Sequence, residues 1–228
     1  MGQRAWRGRA MSWSWPETKP EEYVPRMIDL QFDLVGTVIP AETAQLLADA
    51  LQRLLPWLGE ETGAGIHHLK GAETNSGDAT LCINRRAKLF IRVPKTRVDD
   101  MQRLIGQTLD LAGHTLQIGR FKPREFSPFS HLYSHFVDTG SAGEEQFVQD
   151  VMHELDSHFQ LRCGFICGKA QTLQSASGPL HGFSLMLHEV PPHKSLQLQD
   201  EGLGRNHLLG CGIFIPHKSI APVAPATL

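Results

Sequence analysis

Two adjacent histidines and a nearby lysine are the residues of this sequence best suited to chemistry. His67, His68 and Lys70 lie in a segment flanked by Gly65 and Gly71. An imidazole can take up or release a proton near neutral pH, because its ordinary pKa is about 6.5. An ammonium group can stabilise negative charge that develops on a nearby oxygen. The segment is therefore a candidate for proton transfer beside an anionic group.

The two histidines are alternatives for the same role. Adjacent side chains in an extended segment point opposite ways, so only one is expected to face a given substrate. We assign His67 as general base or acid and Lys70 as electrostatic stabiliser, and His68 is the alternative to His67. The other interpretation is that both imidazoles face solvent and transfer no proton.

A second chemical signal is a glycine-rich segment near the C-terminus. Two Gly-x-Gly pairs bracket a basic loop, and the candidate phosphate contacts are Gly202, Gly204, Arg205, His207, Gly210, Gly212 and Lys218. Glycine permits positive φ, and the N–H groups of such a turn can form an anion-binding nest. The Walker and dinucleotide-binding patterns do not fit. We predict a loop that grips a nucleic-acid phosphate backbone; the alternative is a tight turn before an edge strand.

A third group of candidates is basic. Arg85 and Arg86 form a predicted turn, and Lys88 and Arg92 follow on a predicted strand. The guanidinium fork matches phosphate geometry, so these residues could contact RNA phosphates. The alternative is the solvated end of a strand.

Composition limits the function classes. The chain has 228 residues, of which 41% are hydrophobic and 20% charged, and its formal net charge is -2. These values are typical of a globular protein with no overall basic character, so any nucleic-acid surface must be local. No secretory signal or membrane span is apparent, and we expect a cytoplasmic protein without a membrane partner.

We expect no metal and no cofactor. The four cysteines form no paired CxxC motif, which argues against a zinc knuckle. His131 and His135 have the spacing of a helical metal pair, but the alternation around them predicts a strand. No cluster of carboxylates suggests a two-metal site.

The order of predicted elements is β-α-β-β-α-β, and it occurs twice. Residues 1–26 lack periodicity and are expected to form a disordered arm. The first copy, 27–120, contains predicted strands at 27–34, 80–83 and 88–93, helices at 46–58 and 96–105, and a hairpin around Gly113. A linker is predicted at 119–130. The second copy, 131–218, contains strands at 132–137, 161–167, 183–190 and 213–216 and helices at 144–159 and 191–201. This pattern predicts an α+β fold of two tandem ferredoxin-like (RRM-like) halves.

The tandem plan with a glycine-rich loop before its last strand resembles the CRISPR repeat-processing endoribonucleases, most closely their MYXAN-type branch. The resemblance covers roughly residues 27–218 and is carried by Ile28–Gly36, Gly65–His67, Asn84–Arg86, Gly182–Leu185 and Gly202–Lys218. It implies a metal-independent endoribonuclease that cuts precursor CRISPR RNA and leaves a 2′,3′-cyclic phosphate and a 5′-hydroxyl.

The same resemblance implies roles and partners. The family's active-site histidine commonly lies after the first helix, where His67 and His68 stand. The implied partners are CRISPR repeat RNA and other subunits of an effector complex. The alternatives are a non-catalytic RNA-binding subunit of such a complex, or a ferredoxin-like domain unrelated to RNA, since this fold has many functions.

Overall fold

The first half of the molecule is an antiparallel sheet with one α-helix and several 3₁₀ turns. The computed structural model describes residues 22–73, 79–84 and 86–218. The elements of this half are β1 (Met27–Val35), β2 (Val38–Pro40), α1 (Ala44–Leu54), β3 (Gly65–Ile66), β4 (Ala72–Glu73), β5 (Thr80–Cys82), β6 (Lys88–Pro94), β7 (Thr108–Leu111) and β8 (His114–Arg124). The main sheet has the order β3-β6-β1-β8-β7, and β2-β5-β4 form a small separate sheet.

The central strand β1 has two different faces because its side chains alternate. Leu30 and Phe32 are fully buried in the first hydrophobic core. Asp29 and Gln31 lie on the opposite face. In the register with β8, Lys122 lies opposite Gln31 and Arg124 lies opposite Asp29. Residues directly opposite in antiparallel strands share a face, so β1 and β8 together present a polar, basic surface.

The second half repeats this plan with longer strands and two α-helices. Its elements are β9 (Leu132–Val137), α2 (Glu144–Ser157), β10 (Gly164–Ser175), β11 (Gly178–His188), α3 (Pro192–Glu201) and β12 (Ile215–Pro216). The sheet order is β10-β11-β9-β12. The first half has the same order in its main sheet, where β1, β3, β6 and β8 correspond to β9, β10, β11 and β12. In both sheets the strands then lie in the order second, third, first, fourth. This agreement confirms the predicted tandem ferredoxin-like plan.

The hairpin of β10 and β11 reaches across to the first half. Leu173 and Leu180 pack against the first hydrophobic core. The backbone N–H of Ala176 donates a hydrogen bond to the Gln45 side chain at 2.9 Å. The two halves therefore share packing surface instead of being joined by the connecting segment alone. No helix in the described part of the chain is long and apolar enough to cross a membrane.

Two helices predicted in the first half differ from the observed elements. The segment with Thr96 and Asp99 forms 3₁₀ turns at Lys95–Arg97 and Asp99–Leu104, without a side-chain cap. It is bounded by Pro94 and by Gly106, whose φ is +83°. The helix predicted at 46–58 ends at Leu54, because a proline at position 56 disfavours helical geometry in the residue before it.

Two boundaries also differ from the prediction. Strand β8 continues to Arg124, so residues 119–124 of the predicted linker belong to the sheet. Tyr23, placed by the prediction in the N-terminal arm, donates a hydrogen bond to Asp200 at 2.7 Å. The predicted arm otherwise falls mainly on residues 1–21, outside the described residues. Ser141 and Glu144 have the spacing of a capping box, but the Ser141 hydroxyl donates to Asp150 instead, at 2.6 Å.

Candidate active site

A cleft of about 630 Å³ lies between the two halves. Strands β1, β6 and β8 and the segment after β3 form one wall, and β9, α3, β12 and the glycine-rich segment form the other. Residues 125–129, which connect the halves, also line the cleft. The sequence-predicted residues that line it are His67, His68, Lys70, Arg86, Lys88 and Gly210. The fold thus brings together residues far apart in sequence.

His67 directly follows β3 and lies beside a carboxylate. Its backbone N–H donates to the Phe90 carbonyl at 3.0 Å, and its ring packs against the Phe90 ring, with centroids 5.5 Å apart. The ring atom Nε2 lies 3.2 Å from Oδ1 of Asp29, although the angle is not that of a good hydrogen bond. His67 and Asp29 therefore lie within ion-pair distance of each other.

Asp29 is held by a buried arginine. Arg92 donates from Nε to Oδ1 at 2.8 Å and from Nη2 to Oδ2 at 3.0 Å. Burial by itself would raise the pKa of Asp29, but the charges of Arg92 and His67 outweigh it and hold that pKa well below its usual range. Asp29 is therefore ionised at neutral pH.

The prediction that Arg92 contacts RNA is wrong. Its side chain is only 2% exposed because it points into the interface between the two halves. Besides Asp29, it donates to the backbone carbonyls of Gln199 and Phe214. Its donors are directed to protein oxygens, and a phosphate cannot reach them.

His68 lies where the two walls meet. Its ring packs against Gly210, where an added methyl group would lie 3.0 Å from the ring. The ring centroid of His135, on β9, is 6.2 Å away. Burial, and then the neighbouring imidazole of His135, lower the pKa of His68 to about 4. His68 is therefore neutral at pH 7, and its Nε2 has no hydrogen-bond partner among the described residues.

His135 is a cleft residue that was not predicted to belong to the site. Burial, followed by the charges of Lys70 and His67, lowers its pKa. The ring of Tyr133 packs against it edge-on, with centroids 4.9 Å apart. The alternation of β9 was the available signal, because Leu132, Ser134 and Phe136 are buried and the residues between them face the other way.

The glycine-rich segment has the predicted backbone but not the predicted nest. Gly202, Gly204, Gly210 and Gly212 all have positive φ, between 65° and 86°. However, their N–H groups donate to protein oxygens, of Leu198, Glu154, His207 and Phe136 respectively. An anion-binding nest needs free N–H groups, so that part of the prediction is wrong. The segment instead forms a close-packed wall of the cleft.

The other predicted residues of this segment differ in accessibility. The side chain of Arg205 is 62% exposed and its Nη2 lies 3.3 Å from Oδ1 of Asp138. His207 is packed beside Gly202 and Gly212, and burial, followed by the charge of Arg92, lowers its pKa. Lys218 is exposed. Arg205 and Lys218 are thus exposed, whereas His207 is half-buried.

The exposed positive charge near the cleft comes mainly from the first half. Arg85 falls outside the described residues, Arg86 is exposed, and Lys88 forms an ion pair with Asp33 at 2.9 Å. The three exposed cations of β8, which we call the β8 basic stripe, are Arg120, Lys122 and Arg124. Arg124 also lines the cleft, so the stripe leads into it. These residues were not among the predicted RNA contacts, because their segment was interpreted as a linker.

Comparison with known proteins identifies the family. The family model described as Cas6 Crispr matches residues 28–219. The chain belongs to the Cas6 family. The CRISPR-associated endonuclease Cas6 of Myxococcus xanthus (strain DK1622) is 28% identical over 197 residues, which cover 86% of this chain and 84% of that protein.

Solved structures of Cas6 proteins share the fold at low sequence identity. A structure described as CRISPR associated protein Cas6 has a TM-score of 0.58 at 11% identity and covers 84% of this chain and 100% of its own. The product of a Cas6-related gene from Pyrococcus furiosus has a TM-score of 0.57 at 12% identity, covering 83% and 98%. At such identities the match concerns the fold alone.

Within the described residues of this Cas6 chain, no group of three or more His, Cys, Asp or Glu side chains is arranged to hold a metal ion. The groups that the cleft does bring together are imidazoles, the ammonium groups of Lys70 and Lys88, and the carboxylates of Asp29 and Glu125. These groups can exchange protons and stabilise an anion.

Proposed function

We propose that this Cas6 chain is an endoribonuclease that cuts CRISPR repeat RNA to make guide RNAs. The observation that carries the proposal is the position of His67 in the cleft between the halves, next to an ionised carboxylate and to Lys70. The name of the Myxococcus relative, an endonuclease, supports it. Arg86 and the β8 basic stripe lead towards this position and are suited to the RNA backbone.

The chemistry would use the RNA's own 2′-hydroxyl. The 2′-oxygen attacks the adjacent phosphorus while its proton passes to a base, and the bond from phosphorus to the 5′-oxygen breaks. The departing 5′-oxygen takes up a proton. The products are a 2′,3′-cyclic phosphate and a 5′-hydroxyl, with no water consumed in the step. His67 would transfer the proton at one of these oxygens.

Lys70 would stabilise the charge that develops on the phosphate. Its side chain is exposed at the cleft, where an ammonium group can approach the non-bridging oxygens. His68 is less suited to act as a general acid, because an imidazole with a pKa of about 4 is rarely protonated at pH 7. Of the two histidines that the sequence left as alternatives, His67 is therefore the better candidate for the general acid.

The decisive experiment uses a repeat RNA with one 2′-deoxy nucleotide just upstream of the cut site. Cleavage should stop, while the dissociation constant should stay nearly unchanged, because one hydroxyl contributes little to a binding surface dominated by phosphates. Continued cleavage of this substrate would mean that water is the nucleophile. A protein that binds the unmodified RNA without ever cutting it would instead be the non-catalytic guide-RNA subunit.

We further propose that cleavage needs no metal ion. The 2′-hydroxyl supplies the nucleophile, and His67 and Lys70 supply proton transfer and charge stabilisation. Cleavage of the unmodified repeat should therefore persist in excess EDTA. Loss of cleavage in EDTA that magnesium restores would contradict this part of the mechanism.

A further inference from the structure

Asp29 has contacts that go beyond a structural ion pair. Its Oδ1 accepts the Nε–H of Arg92 at 2.8 Å and also lies 3.2 Å from Nε2 of His67. The same oxygen thus faces both the buried guanidinium and the cleft imidazole. Asp29 is on the central strand of the sheet, so its position is rigid compared with the segment that carries His67.

The guanidinium that orients Asp29 is itself fixed from the second half. Arg92 donates to the carbonyl of Gln199, on α3, and to the carbonyl of Phe214, just before β12, the latter at 3.3 Å. A planar guanidinium with these partners on different sides has little freedom to rotate. The position of the Asp29 carboxylate therefore depends on how the two halves dock.

The surroundings of His67 make Asp29 its main source of negative charge. The titratable and charged groups around it in the cleft are Asp29 from β1, Lys88 and the buried Arg92 from β6, Arg124 and Glu125 at the end of β8, His68 and Lys70 from its own segment, and His135 from β9. Apart from Asp29, only Glu125 is acidic, and it pairs with Lys95 at 2.9 Å. Without Asp29, a proton on His67 would have no opposite charge beside it.

We propose that Asp29 is a positioning residue for His67, which holds its ring nitrogen Nε2 and leaves Nδ1 to exchange a proton with RNA. This inference rests on the proposed function for its effect on cleavage. The carboxylate also balances the positive charge on the ring after it has taken up a proton. The angle between Nε2 and Oδ1 is not that of a good hydrogen bond here, and active-site hydrogen bonds often become well aligned only with substrate bound.

The first test needs no mutation. Nitrogen-15 NMR of the imidazoles in the full chain reports which ring nitrogen of neutral His67 carries the proton. A carboxylate facing Nε2 requires the proton to be on Nε2. The Nδ1–H form in the wild-type protein would overturn the proposal, whether or not the protein cuts RNA.

The second test is Asp29→Asn, which keeps the size of the side chain and removes its charge. The fraction of neutral His67 that carries its proton on Nε2, measured by the same NMR, should fall, because an amide oxygen is a weaker acceptor than a carboxylate. The single-turnover cleavage rate should fall roughly 10-fold or more, with little change in RNA affinity. An unchanged tautomer together with a wild-type rate would overturn the proposal.

Asp200→Asn is the matched control. Asp200 is also a buried carboxylate at the junction of the halves, accepting the N–H of Met27 at 2.7 Å and the hydroxyl of Tyr23. Its loss should lower stability but leave the tautomer of His67 and the cleavage rate near wild type. If Asp29→Asn and Asp200→Asn change the NMR signals of His67 and the cleavage rate equally, then Asp29 has only a structural role. If the wild type does not cut RNA, the proposed function fails, whereas the NMR measurements still decide the pairing.

Discussion

The two halves of the molecule share a strand order, but the walls that they contribute to the cleft carry different side chains. The wall from the first half carries Asp29, His67 and Lys70, and the β8 basic stripe continues from it. The wall from the second half is formed by glycine, Ile213, Ile215 and Pro216, with His135 as its one imidazole among the described lining residues. We infer that the first half supplies charge and proton transfer, and that the second half supplies shape.

This difference has a simple structural origin. The open face of the first sheet carries polar side chains at alternate positions of β1 and β8, so it can present charges to a ligand. In the second wall, the glycine N–H groups are already used within the protein. Two copies of one fold can therefore have different roles at a single site.

The largest expected effect is on the first wall. His67→Ala should lower the single-turnover cleavage rate by roughly two to four orders of magnitude, because proton transfer contributes about that much. RNA affinity should change little. His153→Ala, in an exposed position on α2, is the control and should cut at the wild-type rate. If His67→Ala cuts at the wild-type rate and His68→Ala cuts slowly, then His68 and not His67 transfers the proton.

The next effect is on binding. Replacing Arg120, Lys122 and Arg124 with alanine should weaken RNA binding roughly 10-fold or more at low salt. The slope of log affinity against log salt should become shallower by about 2, since each lost phosphate contact on single-stranded RNA removes about 0.7. The cleavage rate at saturating protein should stay near wild type. Arg162→Ala, a 90% exposed cation on the second half, is the control.

An equal loss in the triple variant and in Arg162→Ala would contradict the division between the walls. It would show that positive charge anywhere on the molecule supports RNA binding. The salt slope should therefore be measured for all three proteins over the same salt range, because affinities at a single salt concentration cannot separate the two cases.

A smaller effect should come from the shape of the second wall. Gly210→Ala places a methyl group 3.0 Å from the His68 ring at a φ of +86°, so it should lower both stability and cleavage. Gly113→Ala is matched, because its φ is +87° with no heavy atom within 4 Å. Both variants should lose about 1–2 kcal/mol of unfolding free energy for the left-handed backbone. Only Gly210→Ala should also slow cleavage; equal rates would show that the wall tolerates change.

The sequence predicted the fold better than the site. Alternation in β1 and β9 and the helical stripe of α2 determine the tandem plan, because each depends on local periodicity. The ion pair of Asp29 and Arg92 was not predictable, since it depends on register between strands 63 residues apart. A basic side chain on a strand gives no local sign of which face is buried. Arg92 was therefore misassigned to RNA, and Lys122 was missed.

The last effect, confined to acidic pH, tests the contact between the walls. The pKa of His68 is lowered from 6.5 to about 4, chiefly by burial and then by His135. A group with a lowered folded-state pKa is protonated first in the unfolded chain, so acid favours unfolding. The contribution of His68 to stability should be complete above about pH 6.5 and should decline as pH falls to about 4.

His68→Asn should flatten this part of the pH dependence. Asparagine occupies a similar position without titrating, so the unfolding free energy of the variant should fall less than that of the wild type between pH 6.5 and 4. Chemical denaturation at several pH values measures this difference directly. Replacing the exposed His153 with asparagine should leave the wild-type dependence unchanged. Parallel curves for wild type and His68→Asn would mean that the ring is accessible to water, and that the two walls do not enclose it in solution.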